Sequence, residues 1–445
     1  MGDLTSVDPP LSAPAWASVY TGVGPGIHGI VDFVYIANDF RLRPYGFVND
    51  RPLPLVWDLL CKAGLKTIVI NPPMVYPAYK LDGVLVSGWP GPRLSTYPKR
   101  LNELVRKTQY RIDIDDPRTQ FQKDARRALR ELAQVTRARV NLAIQCMESF
   151  ADWDFFFIVF TSTDRAQHYA IGRANWQTLL HEIYSEIDRF LLRSFEEIAS
   201  SNGALVLVSD HGFQPVKKTF LMNSWLFQNG FLAAELCPKH YAFSFWRKVY
   251  GPRTSVILDK MNRLFSKDRL GDGYRDVDFD HTIAFAGGSN ADTVNVWLSD
   301  ERFCRPALEN RKSNAIGQER MLKHLSSKLM NLKTSDGEVL IRDIRVPAIT
   351  EKASGVGQAI EPNLVVKANR GYTIDVNVID PLNSLIAPSV YRHGEHDSTG
   401  VLGIYIEGNA ISQGTRINSV SSVVDIAPAI MRFFDLPTPS WMSVG

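Results

Sequence analysis

The chain of 445 residues is 45% hydrophobic and 22% charged, the balance of an ordinary folded globular protein. Its formal net charge of +3 is small for this length and gives no support for nucleic acid or a membrane surface as a partner. No apolar run is long enough to span a membrane, and the scattered Cys61, Cys146, Cys237 and Cys304 predict neither a zinc site nor a disulfide framework.

The segment PPLSAPAWASVYTGVGPGIHGIVDF, which begins at Pro9, predicts a loop, a short helix and a Gly/Pro-rich turn. Trp16, Val19 and Tyr20 are spaced to bury one face of that helix. Ser12 lies at the start of it, where the positive end of the helix dipole favours an anion such as phosphate. Taken alone, Ser12 is better explained as a helix cap.

Short apolar runs then alternate with helical patterns. Strands are predicted at KTIVINPP (66–73), GVLVSG (83–88), FFFIVF (155–160), VLGIYIEG (401–408) and the opening of ALVLVSDHGF (204–213). Helices are predicted at 124–150, 176–201 and 423–434. Strands that are continuous in Val, Ile and Phe, interleaved with helices, predict an α/β sheet that is covered on both faces.

The pattern is looser between residues 220 and 390, where short strands alternate with basic, polar loops. We therefore expect three parts. Residues 1–219 and 391–445 form the N-terminal and C-terminal parts of the core, and residues 220–390 form a cap or insert region that returns some strands to it.

Side chains that suit metal chemistry follow two of the predicted strands and precede a third. Asp164 and His168 follow the strand at 155–160, Asp210 and His211 follow ALVLV, and His393 and His396 lie in YRHGEHDSTG. Open α/β sheets bind ligands at the carboxyl ends of their strands. If a helix begins after residue 160, Asp164 and His168 share one of its faces.

Each of these signals has an ordinary structural explanation: a solvated helix face, a turn, or a hydrogen-bonded loop histidine. Together they favour a pair of Zn²⁺ or Mn²⁺ ions about 3.5–4 Å apart, of the kind that clamps the oxygens of a phosphoryl transfer. Covalent catalysis at such a site needs a hydroxyl that a metal can ionise, which gives Ser12 a role.

These segments, in this order, resemble the type I phosphodiesterase/nucleotide pyrophosphatase family of the alkaline phosphatase superfamily, in its prokaryotic branch. The resemblance is carried by LSAPAWASVYTGVGPGIHGI (11–30), TSTDRAQHY (161–169), VSDHGF (208–213), FLMNSWLFQNGFL (220–232), GEHDSTGVLGIYIEG (394–408) and the ending VVDIAPAIMRFFDLPTPSWM. It implies an alkaline-phosphatase-like α/β fold, with a central, mostly parallel sheet, helices on both faces and an inserted cap subdomain.

The resemblance also implies a metal-dependent phosphodiesterase that works through a seryl-phosphate on Ser12. Its substrate would be a small-molecule phosphate ester, and His393 would either lie behind the metal ligands or face the substrate. Two divalent ions are implied, with Zn²⁺ expected first and Mn²⁺ as the alternative. One ion would be held by Asp164, His168 and His396. The other would be held by Asp210, His211, the Ser12 oxygen and one further aspartate.

Two departures from the family pattern bear on this expectation. The further aspartate ends a first strand upstream of the nucleophile, and Asp3 and Asp8 are poor replacements because no strand is predicted before either of them. The chain is thus expected to lack that strand and its carboxylate. Characterised nucleotide pyrophosphatases carry an asparagine three residues after the nucleophile; Ala15 stands there, so that activity does not follow.

Two alternatives stay open: a sulfatase or another hydrolase of the alkaline phosphatase superfamily, and a truncated non-catalytic relative. A sulfatase needs a Cys/Ser-x-Pro-x-Arg motif, which the chain begins at Ser12 but breaks at Trp16, where arginine should stand. A truncated non-catalytic relative is favoured by the missing aspartate and opposed by the retention of the other candidate ligands in order.

Because MGDLTSVDPP lacks the basic and apolar regions of a signal peptide, a cytoplasmic location is expected.

Overall fold

The computed structural model describes residues 1–36, 42–45, 53–91, 93–172, 175–201, 203–236, 277–288, 291–298, 311–346, 362–376, 379, 385–389, 393–407 and 420–442. The strands are β1 (Gly2–Thr5), β2 (Val34–Ile36), β3 (Leu42–Pro44), β4 (Thr67–Ile70), β5 (Gly83–Val86), β6 (Thr96–Tyr97), β7 (Phe155–Ile158), β8 (Ala204–Val208), β9 (Gly212–Pro215), β10 (Lys218–Leu221), β11 (Ala284–Gly287), β12 (Thr293–Leu298), β13 (Ile341–Arg345), β14 (Leu364–Ala368), β15 (Tyr372–Asp375), β16 (Ile386–Pro388), β17 (Gly394–Asp397) and β18 (Thr399–Ile406).

The α-helices are α1 (Ser12–Thr21), α2 (Pro25–His28), α3 (Val56–Lys62), α4 (Leu101–Lys107), α5 (Pro117–Lys123), α6 (Ala125–Ser149), α7 (Ser162–Ala170), α8 (Trp176–Ala199), α9 (Met222–Gln228), α10 (Arg311–Met330) and α11 (Ile426–Phe433). A 3₁₀ turn at Val423–Asp425 leads into α11.

The α/β class predicted from the sequence is confirmed. The helix predicted at 124–150 is α6, which starts where the Asp124 side chain caps the backbone N–H of Arg127 at 3.0 Å. The predicted strands form as β4, β5, β7, β8 and β18. Each of them begins within two residues of the start of its predicted segment. Cys61 and Cys146 are free thiols, while Cys237 and Cys304 lie outside the described residues.

One part of the main sheet has the order β6-β5-β4-β7, in which β5, β4 and β7 pair in parallel and β6 pairs antiparallel. Its side chains alternate between two cores. Val69 and Leu85 pack on the side of α1, α3 and α11, whereas Ile68 and Ile70 pack on the side of α6 and α8. Helices therefore cover both faces, as the continuous apolar strands predict.

The other part has the order β1-β18-β8 and is antiparallel throughout. Phe156 of β7 contacts Phe190 of α8, and α8 also packs on β8. On the opposite face, Phe157 and Val208 both border the core that holds Trp16 of α1. The strands β7 and β8 therefore lie between the same two helical layers, and within the described residues each keeps one edge without a partner strand.

The prediction that no strand precedes Asp8 is wrong, because β1 ends three residues before it. Asp3 lies within β1, whose four residues pair with β18 and were too few to give an alternating pattern. The Asp8 carboxylate lies 2.5 Å from Nη1 of Arg345 and 3.4 Å from Nζ of Lys367, on β13 and β14. Asp8 is thus engaged by two cations of a second sheet rather than presented to the end of the main sheet.

That second sheet has the order β11-β12-β14-β13 and is antiparallel. It shares a hydrophobic core with α9 and α10 and with the three-stranded sheet β15-β10-β16. The members of this core all fall between Phe220 and Ile386. The boundaries of the 220–390 region themselves stay a prediction.

Candidate active site

The nucleophile candidate stands at the start of α1. The helix begins at Ser12 itself, and the residue at its N-cap position is Leu11, which makes no side-chain cap. The Oγ atom of Ser12 lies 3.0 Å from Nε2 of His211, 199 positions later in the chain. The capping role that would explain Ser12 by itself is therefore not the role that this hydroxyl takes.

The first pair of candidate ligands lies on α7, which starts soon after β7. Asp164 and His168 are four residues apart on this helix and share one face, as the spacing predicts. Oδ1 of Asp164 lies 3.5 Å from Nε2 of His168, and the side chains are 19% and 4% exposed. Burial of both groups points them into the protein rather than into solvent.

The second pair follows β8. Oδ2 of Asp210 lies 3.2 Å from Nε2 of His211, and Oδ1 of Asp164 lies 3.9 Å from the same nitrogen. The next residue, Gly212, begins β9 in very close contact with the first residue of β18. A Cβ atom there would lie 2.0 Å from the carbonyl oxygen of Thr399, so only glycine fits at this turn.

His396 joins the two pairs from a different segment. It lies on β17, opposite Phe213 of β9. Its Nε2 is 3.1 Å from Nε2 of His168 and 3.3 Å from Oδ1 of Asp164. Its ring stacks on that of His211, with 3.6 Å between centroids. The structure therefore brings together Ser12 and all five residues that the sequence predicts as metal ligands.

Hydrogen bonds on the far side of two imidazoles fix their tautomers. Nδ1 of His168 lies 3.0 Å from the carbonyl oxygen of Gly394, and Nδ1 of His211 lies 3.1 Å from that of Gly212. Because a carbonyl oxygen only accepts, both Nδ1 atoms carry a proton, and Nε2 is the nitrogen of each ring that faces the site. This is the arrangement of metal-bound histidines.

The protonation states of the site agree with that arrangement. Burial opposes the ionisation of Asp164, but His168, His396 and Arg165 outweigh it and hold the pKa of this carboxyl well below its usual value. Burial lowers the pKa of His211 against the opposing pull of Asp210. An ionised carboxylate beside an imidazole whose basicity is lowered by burial, as with Asp164 and His211, belongs to the donor set that divalent transition metals prefer.

Two carboxylate oxygens of the site have no hydrogen-bond donor among the described residues. Oδ1 of Asp164 and Oδ2 of Asp210 are buried and accept no hydrogen bond from the described residues. Donor atoms of Asp164, His211 and His396 all lie within 4.8 Å of one another, and so do those of His168, Glu395 and His396. Lone pairs crowded together in this way are costly unless a cation neutralises them, so the residues present fit a metal site.

His393 lies at the rim of this cluster. Its backbone N–H donates to the carbonyl oxygen of His168, and its own carbonyl accepts from the N–H of Val216, both at 2.8 Å. These bonds hold the loop against α7 and β9. A contact between the half-buried His393 side chain and a substrate stays a prediction.

The sequence analysis missed two charged residues of the site. Glu395 is fully buried, and its Oε1 accepts from the backbone N–H of His396 at 3.1 Å. A carboxylate next to a candidate ligand within GEHD was a signal for it. Arg165 contacts Asp164 at 3.1 Å. It was missed because residues i and i+1 of a helix do not share a face.

With the geometry established, comparison with known proteins identifies the family. Residues 2–398 match the family described as type I phosphodiesterase / nucleotide pyrophosphatase. The chain belongs to this family. Family and fold together indicate a hydrolase of the alkaline phosphatase superfamily, of the phosphodiesterase and nucleotide pyrophosphatase type. No match was found among curated proteins.

Two solved structures resemble this family member over most of their length. A phosphonoacetate hydrolase from Sinorhizobium meliloti 1021, in complex with phosphonoformate, is 11% identical, with a TM-score of 0.50 and coverage of 96% of this chain and 85% of its own. Human ectonucleotide pyrophosphatase / phosphodiesterase 5 is 10% identical, with a TM-score of 0.51 and coverage of 99% and 88%. At such identities, the likeness shows the fold alone. None of the helices in the described ranges combines the length and hydropathy that a bilayer-spanning helix needs.

Proposed function

We propose that this family member is a metal-dependent phosphodiesterase in which Ser12 is the nucleophile at a two-metal site. Asp164, His168 and His396 would hold one ion, and Asp210 and His211 would hold the other beside the Ser12 oxygen. Zn²⁺ suits these imidazole and carboxylate donors best, and Mn²⁺ is the alternative.

The observation that carries the proposal is the 3.0 Å separation of Ser12 Oγ from His211 Nε2. In a Ser-His-Asp triad, the acid would contact the other imidazole nitrogen. Here Nδ1 of His211 faces the Gly212 carbonyl, and Asp210 lies 3.2 Å from the same Nε2 that Ser12 contacts. A hydroxyl, a carboxylate and an unprotonated nitrogen that converge on one point suit a metal-activated serine instead.

The ions, when bound, would neutralise charge on the phosphoryl oxygens and lower the pKa of the bound hydroxyl. Ser12 would then give its hydroxyl proton to solvent and form an Oγ–P bond as the bond from phosphorus to the leaving oxygen breaks. The leaving oxygen takes a proton from solvent and departs as the alcohol. Attack by water on the seryl-phosphate restores the Ser12 hydroxyl and releases a phosphate monoester. The N-terminal end of α1 favours the anionic group that develops there.

We also propose a small-molecule phosphate ester as the substrate, with His393 facing it and the 220–390 region selecting it. The sulfatase alternative gains no support, because Trp16, where a sulfatase would have arginine, packs 6.1 Å from Phe157 in the core. The residue is only 7% exposed and belongs to the hydrophobic core around α1.

The test is hydrolysis of bis(p-nitrophenyl) phosphate with added Zn²⁺ or Mn²⁺, alongside a chelator and Ser12→Ala. Ser185→Ala is a matched control, because Ser185 also contacts a histidine, His181, at 3.2 Å, but on the exposed face of α8. We expect turnover that the chelator and Ser12→Ala abolish and that Ser185→Ala leaves intact. Turnover that survives in Ser12→Ala would contradict the proposed nucleophile.

A further inference from the structure

The guanidinium of Arg165 is fixed by three separate segments of the chain. Its Nε donates to Oδ2 of Asp113 at 2.8 Å, and its Nη1 donates to Oδ2 of Asp164 at 3.1 Å. The guanidinium carbon also lies 4.5 Å from the ring centroid of Trp89. The side chains of Arg165, Asp113 and Asp164 are only 17%, 10% and 19% exposed, so these contacts are shielded from solvent.

Because of the contact with Arg165, the two oxygens of the Asp164 carboxylate have different neighbours. Oδ2 is occupied by the guanidinium, whereas Oδ1 lies 3.5 Å from His168 Nε2 and 3.3 Å from His396 Nε2. Oδ1 is also the oxygen that accepts no hydrogen bond from the part of the chain that the structure describes. Arg165 therefore leaves a single, oriented oxygen facing the histidines.

Asp113, which accepts from Arg165, is itself held in place by the surrounding chain. The other oxygen of Asp113 accepts from the backbone N–H of Ile114 at 2.8 Å. The preceding carbonyl, of Ile112, accepts from Nη2 of the fully buried Arg139 at 2.5 Å, while Nη1 of Arg139 donates to the carbonyl of Val159 at 3.1 Å. The loop that carries Asp113 and the segment that follows β7 are therefore held to one rigid group.

The shape of the arginine side chain matters here, beyond its charge. A planar guanidinium presents donors in a fixed fork and stacks on an aromatic face, whereas a lysine ammonium is a single flexible point charge. Arg165 reaches two carboxylates through different nitrogens while it stacks on Trp89, which lysine cannot reproduce.

We propose that Arg165, held by Asp113 and Trp89, is a positioning residue that presents one oxygen of Asp164 to the ion bound with His168 and His396. This inference rests on the proposed function in one respect, that Asp164 is a metal ligand. Groups that orient a ligand typically change metal affinity by about 10–100-fold when they are removed.

The experiment measures zinc affinity directly, by competition with a chromogenic chelator that resolves the two ions, in wild type, Arg165→Lys and Asp113→Asn. We expect Arg165→Lys to weaken one of the two ions by about 10–100-fold and to leave the other unchanged. Asp113→Asn, which keeps the size of the anchor, should weaken the same ion by a smaller factor. It also keeps the inference testable if Arg165→Lys does not fold.

Arg111→Lys is the matched control, because Arg111 pairs with Glu131 at 3.1 Å on the exposed surface and lies two residues from Asp113. It should leave both affinities unchanged. Wild-type affinity for both ions in folded Arg165→Lys overturns the inference, and so does a higher KM with unchanged metal affinity, which would make Arg165 a substrate contact. A wild-type chain that binds no divalent ion instead refutes the proposed function before any variant is compared.

Discussion

The hydroxyl of Ser12 and Nε2 of His211 lie 3.0 Å apart, although α1 and the turn after β8 are separated by 199 positions in the chain. Because Leu11, not Ser12, occupies the cap position of α1, this hydroxyl contributes little to the helix. Ser12→Ala should therefore lower turnover by at least about a thousandfold while the thermal midpoint stays within about 2 °C of wild type. Steady-state kinetics and a melting curve on the same preparation check this, and a large fall in the midpoint would mean that Ser12 is structural.

Loss of His396 should remove one ion and not both. The Nε2 atom of His396 lies beside His168 and Asp164, whereas Asp210 and His211 reach the site from the end of β8. We expect His396→Ala to bind one zinc per chain, measured by elemental analysis after dialysis, where wild type binds two. The exposed His181→Ala serves as the control and should keep both. Two tightly bound ions in His396→Ala would exclude it as a ligand.

His393 should act on substrate and not on metal. The bonds that hold it to His168 and Val216 are made by its backbone and survive in alanine. His393→Ala is thus expected to keep wild-type metal content and kcat and to raise KM about tenfold, the effect of losing one hydrogen bond to a charged group. An unchanged KM for bis(p-nitrophenyl) phosphate would remove the proposed substrate contact.

Substitution by alanine should be far more damaging at Gly212 than at Gly24, which lies near the start of the chain. A Cβ at Gly212 would lie 2.0 Å from the Thr399 carbonyl, whereas a Cβ at Gly24 meets nothing within 4 Å. Gly212→Ala should lower the free energy of unfolding by about 1–3 kcal/mol and weaken metal binding, because it pushes the start of β9, next to His211, away from β18. Gly24→Ala should do neither. Urea denaturation of the two variants decides the matter, and equal stabilities would contradict this packing.

The stability of the chain should fall below neutral pH through His28. Burial lowers the pKa of His28 to about 3, and the ring is held neutral because Nδ1 accepts from the N–H of Ile30 while Nε2 contacts Ser18. Between the usual pKa of about 6.5 and the native value, the unfolded state binds a proton that the folded state does not. This contribution is fully present above pH 6.5 and is lost as the pH falls towards 3.

Comparison of unfolding free energies from pH 8 to pH 4 tests this contribution. His28→Gln should flatten the dependence, because it removes the group that titrates differently in the two states. His181→Gln replaces an exposed histidine that also contacts a serine, and it should keep the wild-type slope. Parallel curves for wild type and His28→Gln would show that His28 does not set the acid sensitivity.

Much of the fold could be predicted because its determinants are local. The apolar runs around Ile68, Leu85 and Phe157 are buried on two faces, and that pattern is visible in a window of a few residues. The i, i+4 spacing of Asp164 and His168 likewise needs only the geometry of a helix. β1 escaped prediction because a strand of four residues, paired only with the distant β18, leaves no local signal.

By itself, then, the sequence determined the α/β class, the placing of polar ligand types at strand ends, and Ser12 at the start of a helix. Only the tertiary structure decided that Ser12 meets His211, that Asp8 binds Arg345 and Lys367, and that Arg165 orients Asp164 from Asp113. The physical reason is that each of these contacts joins segments through packed layers. The partner of a long charged side chain is set by three-dimensional proximity and burial, to which spacing along the chain gives no guide.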